Sequence, residues 1–118
     1  MKQELRAVLS ARLFTDRKCF GPGVAELLRR VDEHHSLRAA AQSMEMAYSK
    51  AWTITKNAEA GLGVKLLSSS TGGKGGGGAV LTDDARRFLS AYERYCERLR
   101  AYSDELLAEE FAFYREEA

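Results

Sequence analysis

The sequence predicts a mainly α-helical fold with a small β component, a winged helix-turn-helix followed by a long C-terminal helix. Three patterns predict it: two short helices around a three-residue break, a glycine-rich stretch between apolar runs, and a heptad pattern that contains no Gly or Pro. The 118 residues, 45% hydrophobic and 30% charged, suit one globular domain. No apolar run approaches the roughly 18 residues that cross a bilayer, so we expect a cytoplasmic protein.

Residues 5–20 alternate loosely between apolar and polar side chains. The alternation over residues 5–20 favours a strand, a turn at Asp16–Lys18 and a short return strand that ends at Gly21. A helix is the alternative, because Leu, Ala and Arg are good helix formers.

Three helices are predicted next. The first covers about 23–34 and starts at the only proline, which suits a first helical turn. Ser36 is a good N-cap for a second helix of about two turns. After a break at Glu45–Ala47, the third helix covers about 48–60 and stops at Gly61. Two short helices joined by a tight turn are typical of a DNA-binding helix-turn-helix.

A basic, glycine-rich hairpin follows the third helix. Val64–Leu67 and Ala79–Leu81 are predicted as strands, with Ser68–Gly78 as their connector. A phosphate-binding loop is excluded, because Lys74 is followed by Gly75 and the stretch leads into a strand. A flexible connector is the alternative to a wing. The preceding helices favour the wing, whose glycines let backbone N–H groups approach phosphates while Lys74 supplies charge.

The last third of the chain is predicted as one long helix over about 82–115, capped by Thr82. Its apolar residues recur in steps of 3 and 4, as in a coiled-coil seam. A helix of roughly 50 Å cannot bury both ends against the preceding residues, so we expect a second copy as partner. We divide the chain into a DNA-binding domain, 1–81, with its wing at 64–81, and a dimerisation helix, 82–118. The expected homodimer interface residues are Phe88, Tyr92, Tyr95, Leu99, Tyr102 and Leu106.

The net charge of +1 conceals an asymmetry along the chain. Residues 1–81 carry 12 basic and 7 acidic side chains, whereas residues 82–118 carry 6 basic and 10 acidic ones. The basic part is suited to a polyanion, although a chance distribution of solvated charges is the alternative.

Catalytic and metal-binding patterns are absent from the sequence. His34 and His35 are adjacent and cannot face one another on a helix, and Cys19 and Cys96 show no ligand spacing. No nucleophile–base pair or spaced carboxylate dyad emerges. We therefore expect no enzyme, no cofactor and no metal.

Four segments resemble the N-terminal DNA-binding domain of the ModE family, the molybdate-dependent transcription regulators. They are Phe20–Gly23, Ser36–Ala41, Tyr48–Trp52 and Ser70–Thr82, in matching order and spacing over nearly the whole chain. The most specific element is the stretch TGGKGGGGA. The resemblance implies a winged helix-turn-helix, which we class with the LysR type, that dimerises and binds a palindromic operator. Because the sequence stops after the long helix, we expect a stand-alone domain without its own molybdate sensor.

Three positions depart from the family's pattern. Glu45 replaces a usual Gly, at a cost of about 1 kcal/mol if its backbone is left-handed. Ala47 replaces the hydroxyl cap of the third helix, which loses about 1 kcal/mol. Ser69 replaces a common Arg and removes one phosphate contact. We therefore expect weaker DNA binding or a different operator sequence.

The third helix has two faces with different chemistry. Ala51, Thr55 and Ala58 lie on the face that packs on the first two helices, and Trp52 beside them is interpreted as structural. The opposite face suits a major groove, because Lys reaches guanine acceptors or phosphate and an aromatic ring suits thymine methyls. A solvated face is the alternative. The predicted DNA-binding residues are Arg38, Tyr48, Ser49, Lys50, Thr53, Lys56, Ser70, Thr71, Gly72, Gly73, Lys74 and Gly75.

Two functions follow from these patterns. The first is a transcription regulator that reads an inverted repeat in double-stranded DNA as a homodimer and has no membrane partner. The alternative is an architectural or protein-interaction module whose long helix pairs with a separate effector-binding protein.

Overall fold

The computed structural model of the chain describes residues 2–70 and 78–116. As the sequence predicted, the described part is mainly helical, with two small antiparallel hairpins and a long C-terminal helix. No helix in it is both long and apolar enough to cross a membrane. The elements are β1 Leu13–Phe14, β2 Lys18–Phe20, α1 Pro22–His34, α2 Leu37–Ser43, α3 Tyr48–Leu62, β3 Leu67–Ser70, β4 Gly78–Leu81, α4 Asp83–Glu110 and α5 Ala112–Glu116.

The hydrophobic core lies around α1, which α2, α3, β4 and α4 cover from different sides. Helices α2 and α3 contribute mainly alanines, which let the helices approach closely. The largest fully buried side chains each stabilise the fold by about 1.5–3 kcal/mol through the area they remove from water. These side chains are Phe20, Leu27, Leu28, Val31 and Leu66.

The turns before and after α2 lie where the sequence predicted breaks, and the predicted Ser36 cap is confirmed. His35 ends α1 in a left-handed conformation with φ 57°, and the Ser36 hydroxyl caps α2 by accepting a bond from the Ala39 N–H at 3.1 Å. Glu45 is left-handed with φ 54°. Ala47 is the N-cap residue of α3. Its methyl group cannot accept a hydrogen bond, so the helix has no side-chain cap.

The end of α3 differs from the prediction. The helix does not stop at Gly61 but continues to Leu62, and Gly63 provides the left-handed cap with φ 72°. Gly61 has a packing role instead: a Cβ at this position would lie 2.6 Å from the Cβ of Cys19 on β2. Only glycine lets α3 and β2 approach this closely.

The strands of the wing are shifted from their predicted positions. Strand β3 begins at Leu67, where the predicted strand Val64–Leu67 ends, and pairs with β4 from Leu67↔Leu81 to Ser70↔Gly78. Residues 64–66 instead form the connection between α3 and β3, and the Leu66 side chain in this connection is buried in the core. The predicted connector Ser68–Gly78 therefore loses three residues to β3 and one to β4, and residues 71–77 lie outside the described part.

The N-terminal segment differs from the predicted long strand, since only Leu13–Phe14 pair with β2 and the turn lies at residues 15–17. Residues 2–12 instead run along α4 and α5. The Tyr92 hydroxyl donates to the Ala11 carbonyl at 2.7 Å, and the Tyr114 hydroxyl donates to the Gln3 carbonyl at 2.8 Å. Residues 2–10 stay exposed along this path, so the alternation does not correspond to a buried side of a strand.

Helix α4 begins as predicted and ends earlier than predicted. The Thr82 hydroxyl accepts from the Ala85 N–H and donates to the Lys65 carbonyl at 2.6 Å, so one side chain caps α4 and holds the base of the wing. The helix ends at Glu110, and Phe111 separates it from the short α5.

The predicted seam of α4 divides into two parts. Phe88 and Tyr92 were expected in a dimer interface, but Tyr92 is buried in the protomer's own core, where its ring centroid lies 5.0 Å from that of Phe20. Phe88 is half-buried, with its ring 6.3 Å from Phe20. The reason is that the first turns of α4 complete the core. The other four seam residues remain exposed and are Tyr95, Leu99, Tyr102 and Leu106.

Candidate nucleic-acid interface

Helix α3 presents one face to the core and the opposite face to solvent, as predicted. Ala51, Thr55 and Ala58 are buried on the core side of the helix. The Thr55 hydroxyl donates a hydrogen bond to the Ala51 carbonyl at 2.9 Å, so this buried polar group has a partner. The outward side chains form the recognition face, which consists of Ser49, Lys50, Thr53 and Lys56, all of them exposed.

Two further residues extend the recognition face. With about 100° between successive helical residues, Asn57 falls beside Lys50 and Thr53, and Trp52 lies at the other edge. Both side chains are exposed. Sequence reasoning did not include Asn57, although its spacing of four from Thr53 and seven from Lys50 could have identified it. An Asn on such a face is suited to adenine, which offers an acceptor and a donor together.

Thr53 makes a hydrogen bond that limits how it can read a base. Its hydroxyl donates to the Ser49 carbonyl at 2.9 Å. The hydroxyl hydrogen is therefore used within the helix, and the oxygen remains an acceptor for an amino group on a base edge.

Arg38 and Tyr48 were predicted separately, and the structure brings them together. The guanidinium of Arg38 on α2 lies 4.2 Å from the ring centroid of Tyr48 at the start of α3. This stacking joins the first turns of the two helices by a cation–π contact. A cation and a ring are thus presented side by side at one end of the recognition face.

Trp52, which was interpreted from the sequence as structural, lies exposed at the edge of α3 and not in the core. Its side chain is 48% exposed, and the Lys56 ammonium lies 5.6 Å from the ring centroid. Lys56 also contacts the Glu59 carboxylate at 3.3 Å. No sequence signal separated this orientation from the buried one, because Trp52 lies next to the core residue Ala51 on the helix.

Glu59 connects the recognition helix to the wing. Its carboxylate accepts bonds from the backbone N–H groups of Leu66 at 2.8 Å and Leu67 at 3.3 Å. Burial disfavours the charged form of Glu59, but these bonds and the Lys56 ammonium outweigh burial, so its pKa lies below the ordinary value of 4.5. Sequence reasoning did not single out Glu59.

The base of the wing is fixed against the corner between α1 and α2. The Ala79 N–H donates to the His35 carbonyl at 3.0 Å, and a Cβ on Gly78 would lie 3.0 Å from the same oxygen. Ser70 is half-buried at the end of β3. The other predicted wing contacts lie outside the described residues: Thr71, Gly72, Gly73, Lys74 and Gly75.

In the described part of the chain, no three His, Cys, Asp or Glu side chains form a group that could hold a metal ion.

The sequence of residues 24–86 matches the model of the bacterial regulatory helix-turn-helix proteins of the lysR family. The chain belongs to this family. The match spans more than half of the 118 residues and runs from α1 through the wing to the start of α4. The protein is therefore a lysR-type, helix-turn-helix DNA-binding domain of a transcription regulator, and it does not belong to a family of enzymes.

The fold of the lysR-type domain has a counterpart among solved structures. The DNA-binding domain of CbnR, crystallised in complex with DNA, is similar to it with a TM-score of 0.56 and 24% sequence identity. The similarity covers 74% of this chain and 94% of the CbnR domain. No curated protein matches the sequence significantly.

Proposed function

We propose that this lysR-type domain binds an inverted-repeat operator as a homodimer and regulates transcription in the cytoplasm in the manner of ModE. The observation that carries the proposal is the recognition face, a row of exposed hydroxyl and ammonium groups opposite the buried side of α3. Within residues 2–70 and 78–116, Lys50 is exposed and makes no ion pair, so its charge is free for a phosphate or a guanine.

The proposed contacts divide between the bases and the backbone. Ser49, Thr53 and Lys56 face the edges of the bases in the major groove, while Arg38 with Tyr48 and the wing lie along the phosphates. The stretch from Ser70 to Thr82 supports the likeness to ModE, since its glycines and Lys74 match that family in order and spacing. The proposed wing contacts are Ser70, Thr71, Gly72, Gly73, Lys74 and Gly75.

The homodimer is proposed from the exposed half of α4. Large apolar side chains continue the seam beyond the core, with exposures from 36% to 60%. A second copy would cover them by pairing with the same helix, as in a coiled coil. We propose residues 1–81 as the DNA-binding part and 82–118 as the dimerisation part, and we assign the interface to Tyr95, Leu99, Tyr102 and Leu106.

The test is a selection from random duplexes, followed by fluorescence anisotropy at two salt concentrations. We expect an inverted repeat, bound more weakly at high salt. Lys50→Ala and Lys74→Ala should each lower the affinity and reduce the salt slope by about 1.8, because each lysine occurs twice in the dimer and would neutralise one phosphate per half-site. Arg94→Ala, an exposed change on α4, is the matched control and should leave both quantities unchanged.

Two outcomes contradict the proposal in different ways. Salt-sensitive binding without sequence preference would make the protein an architectural binder. An absence of binding at both salts would move the function to α4 and its pairing with a separate effector-binding protein.

A further inference from the structure

Trp52 is the only tryptophan of the chain, and its place on α3 sets it apart from the other exposed apolar residues. A single exposed apolar side chain needs no explanation in itself. Trp52, however, lies one helical turn after Tyr48 and one turn before Lys56, along the edge of the recognition face.

These residues form an aromatic row along α3. Each ring in the row carries a cation: Arg38 lies 4.2 Å from the Tyr48 centroid, and Lys56 lies 5.6 Å from the Trp52 centroid. Lys56 is in turn held by Glu59 at 3.3 Å. The contacts hold the indole in place, so ordering it in a groove costs little conformational entropy.

In a major groove, only one group on the base edges offers an apolar contact to such a ring. The edges of the base pairs present hydrogen-bond donors and acceptors, and their one apolar feature is the C5-methyl group of thymine. The indole has a large apolar surface, of which nearly half is free. Arg38 at the start of the row is suited to a phosphate, which would hold the row of rings against the base edges.

We propose that Trp52 contacts a thymine methyl group and thereby sets a thymine preference at one position of each half-site. This inference rests on the proposed function, because it requires α3 to enter the major groove. It adds a specificity-determining residue to the face predicted from the sequence.

The decisive experiment removes single methyl groups from the selected operator. Each thymine of a half-site is replaced in turn by deoxyuridine, and the affinity of the wild-type protein and of Trp52→Ala is measured by anisotropy. We expect one position at which the loss of the methyl weakens wild-type binding about fourfold per half-site, the effect of one buried methyl. Trp52→Ala should be insensitive at that position, and Trp52→Phe should retain part of the sensitivity.

Two controls separate this effect from a general loss of structure. Thermal unfolding of each variant should match the wild type, since the Trp52 side chain lies outside the core. Phe14→Ala removes another exposed ring, located on β1, and should respond to every deoxyuridine as the wild type does.

The emission of the single tryptophan gives an independent measurement. Saturating operator DNA should change the emission of Trp52 and protect it from acrylamide, while anisotropy of labelled DNA reports binding separately. Unchanged quenching at full saturation overturns the proposal.

The two hypotheses fail in distinguishable ways. If no duplex is bound with sequence preference, the proposed function fails and this inference fails with it. If an operator is bound and every deoxyuridine affects the wild type and Trp52→Ala equally, the role of Trp52 is overturned and the proposed function stands.

Discussion

The carboxylate of Glu59 shows how one residue joins two functional elements. It lies at the end of α3 with its side chain only 11% exposed, and it accepts the backbone N–H groups that begin the wing. A mutation there should change the wing and the recognition helix together, because both depend on this carboxylate.

We expect Glu59→Gln to lower the free energy of unfolding by about 1–2 kcal/mol at pH 7, since hydrogen bonds to a charged acceptor are stronger than those to an amide. The folded-state pKa of Glu59 is lowered, so its contribution is present above the ordinary value of 4.5 and is lost as the pH falls through the folded-state pKa. Urea unfolding from pH 7 to pH 3 measures this.

The control for this prediction is Glu33→Gln, which changes an exposed carboxylate on α1. Its effect should be small at every pH. A gap between wild type and Glu59→Gln that persists unchanged at pH 3 would contradict the account.

Glu45 carries backbone strain between α2 and α3. A non-glycine residue at φ 54° is disfavoured by contacts of its Cβ, so Glu45→Gly should raise stability by about 1 kcal/mol. Thermal unfolding is the measurement. Glu45→Ala keeps the Cβ and removes only the carboxylate, so an equal gain in both variants would assign the effect to charge instead.

Among the elements, the contact between α3 and β2 depends on the absence of a side chain. Gly61→Ala should destabilise the fold by about 1–3 kcal/mol, because the new Cβ would overlap with Cys19. Gly23→Ala is the matched control on α1, since nothing lies within 4 Å of a Cβ there. Chemical unfolding of the two variants should differ in this direction, and equal stabilities would contradict the packing argument.

The contact between the N-terminal segment and the C-terminal helices is a second feature at the scale of the elements. The hydroxyl of Tyr92 on α4 donates to the Ala11 carbonyl, and the hydroxyl of Tyr114 on α5 donates to the Gln3 carbonyl, so the segment is held near both of its ends. The covered stripe of α4 recurs at the 3.6-residue period of a straight helix and includes Tyr92, Cys96, Ser103 and Leu107. The neighbouring stripe of α4, which carries the exposed seam residues, is not covered by this segment and remains open to another partner.

At the scale of the whole molecule, the exposed seam of α4 predicts the oligomeric state. The double variant Leu99→Glu with Tyr102→Glu should be monomeric in sedimentation velocity, because paired carboxylates cannot be buried in an apolar interface. Its operator affinity should fall more than tenfold, since each half-site would then be bound alone.

Ala101→Glu is the matched control for the dimer. It adds a carboxylate at an exposed position of α4 outside the heptad seam. This variant should remain dimeric. A wild-type protein that sediments as a monomer at micromolar concentration would remove the basis of the prediction.

The orientation of α4 relative to the DNA-binding part also belongs to this scale. Two ion pairs link α1 to α4, Arg29 with Glu93 at 2.8 Å and Asp32 with Arg86 at 2.9 Å. Exposed pairs of this kind add little stability. Together with the packing of Phe20 on Tyr92, they hold the helix at one angle to the recognition face.

Local chemistry explains what the sequence by itself determined. The caps at Ser36 and Thr82, the left-handed turn at Glu45 and the buried face of α3 were all predictable, because they depend on residues within one or two helical turns. The order of the helices and the wing follows from the same signals.

Contacts between distant residues decided the rest. The tertiary structure alone shows that Gly61 serves packing, that Tyr92 completes the core, and that the alternating N-terminal segment lies on a helix. Sequence periodicity indicates which side of an element is buried, but it does not indicate which other element packs against that side. For the same reason Trp52, next to the buried Ala51 in sequence, was shown to be exposed only by the packing of α3 against its neighbours.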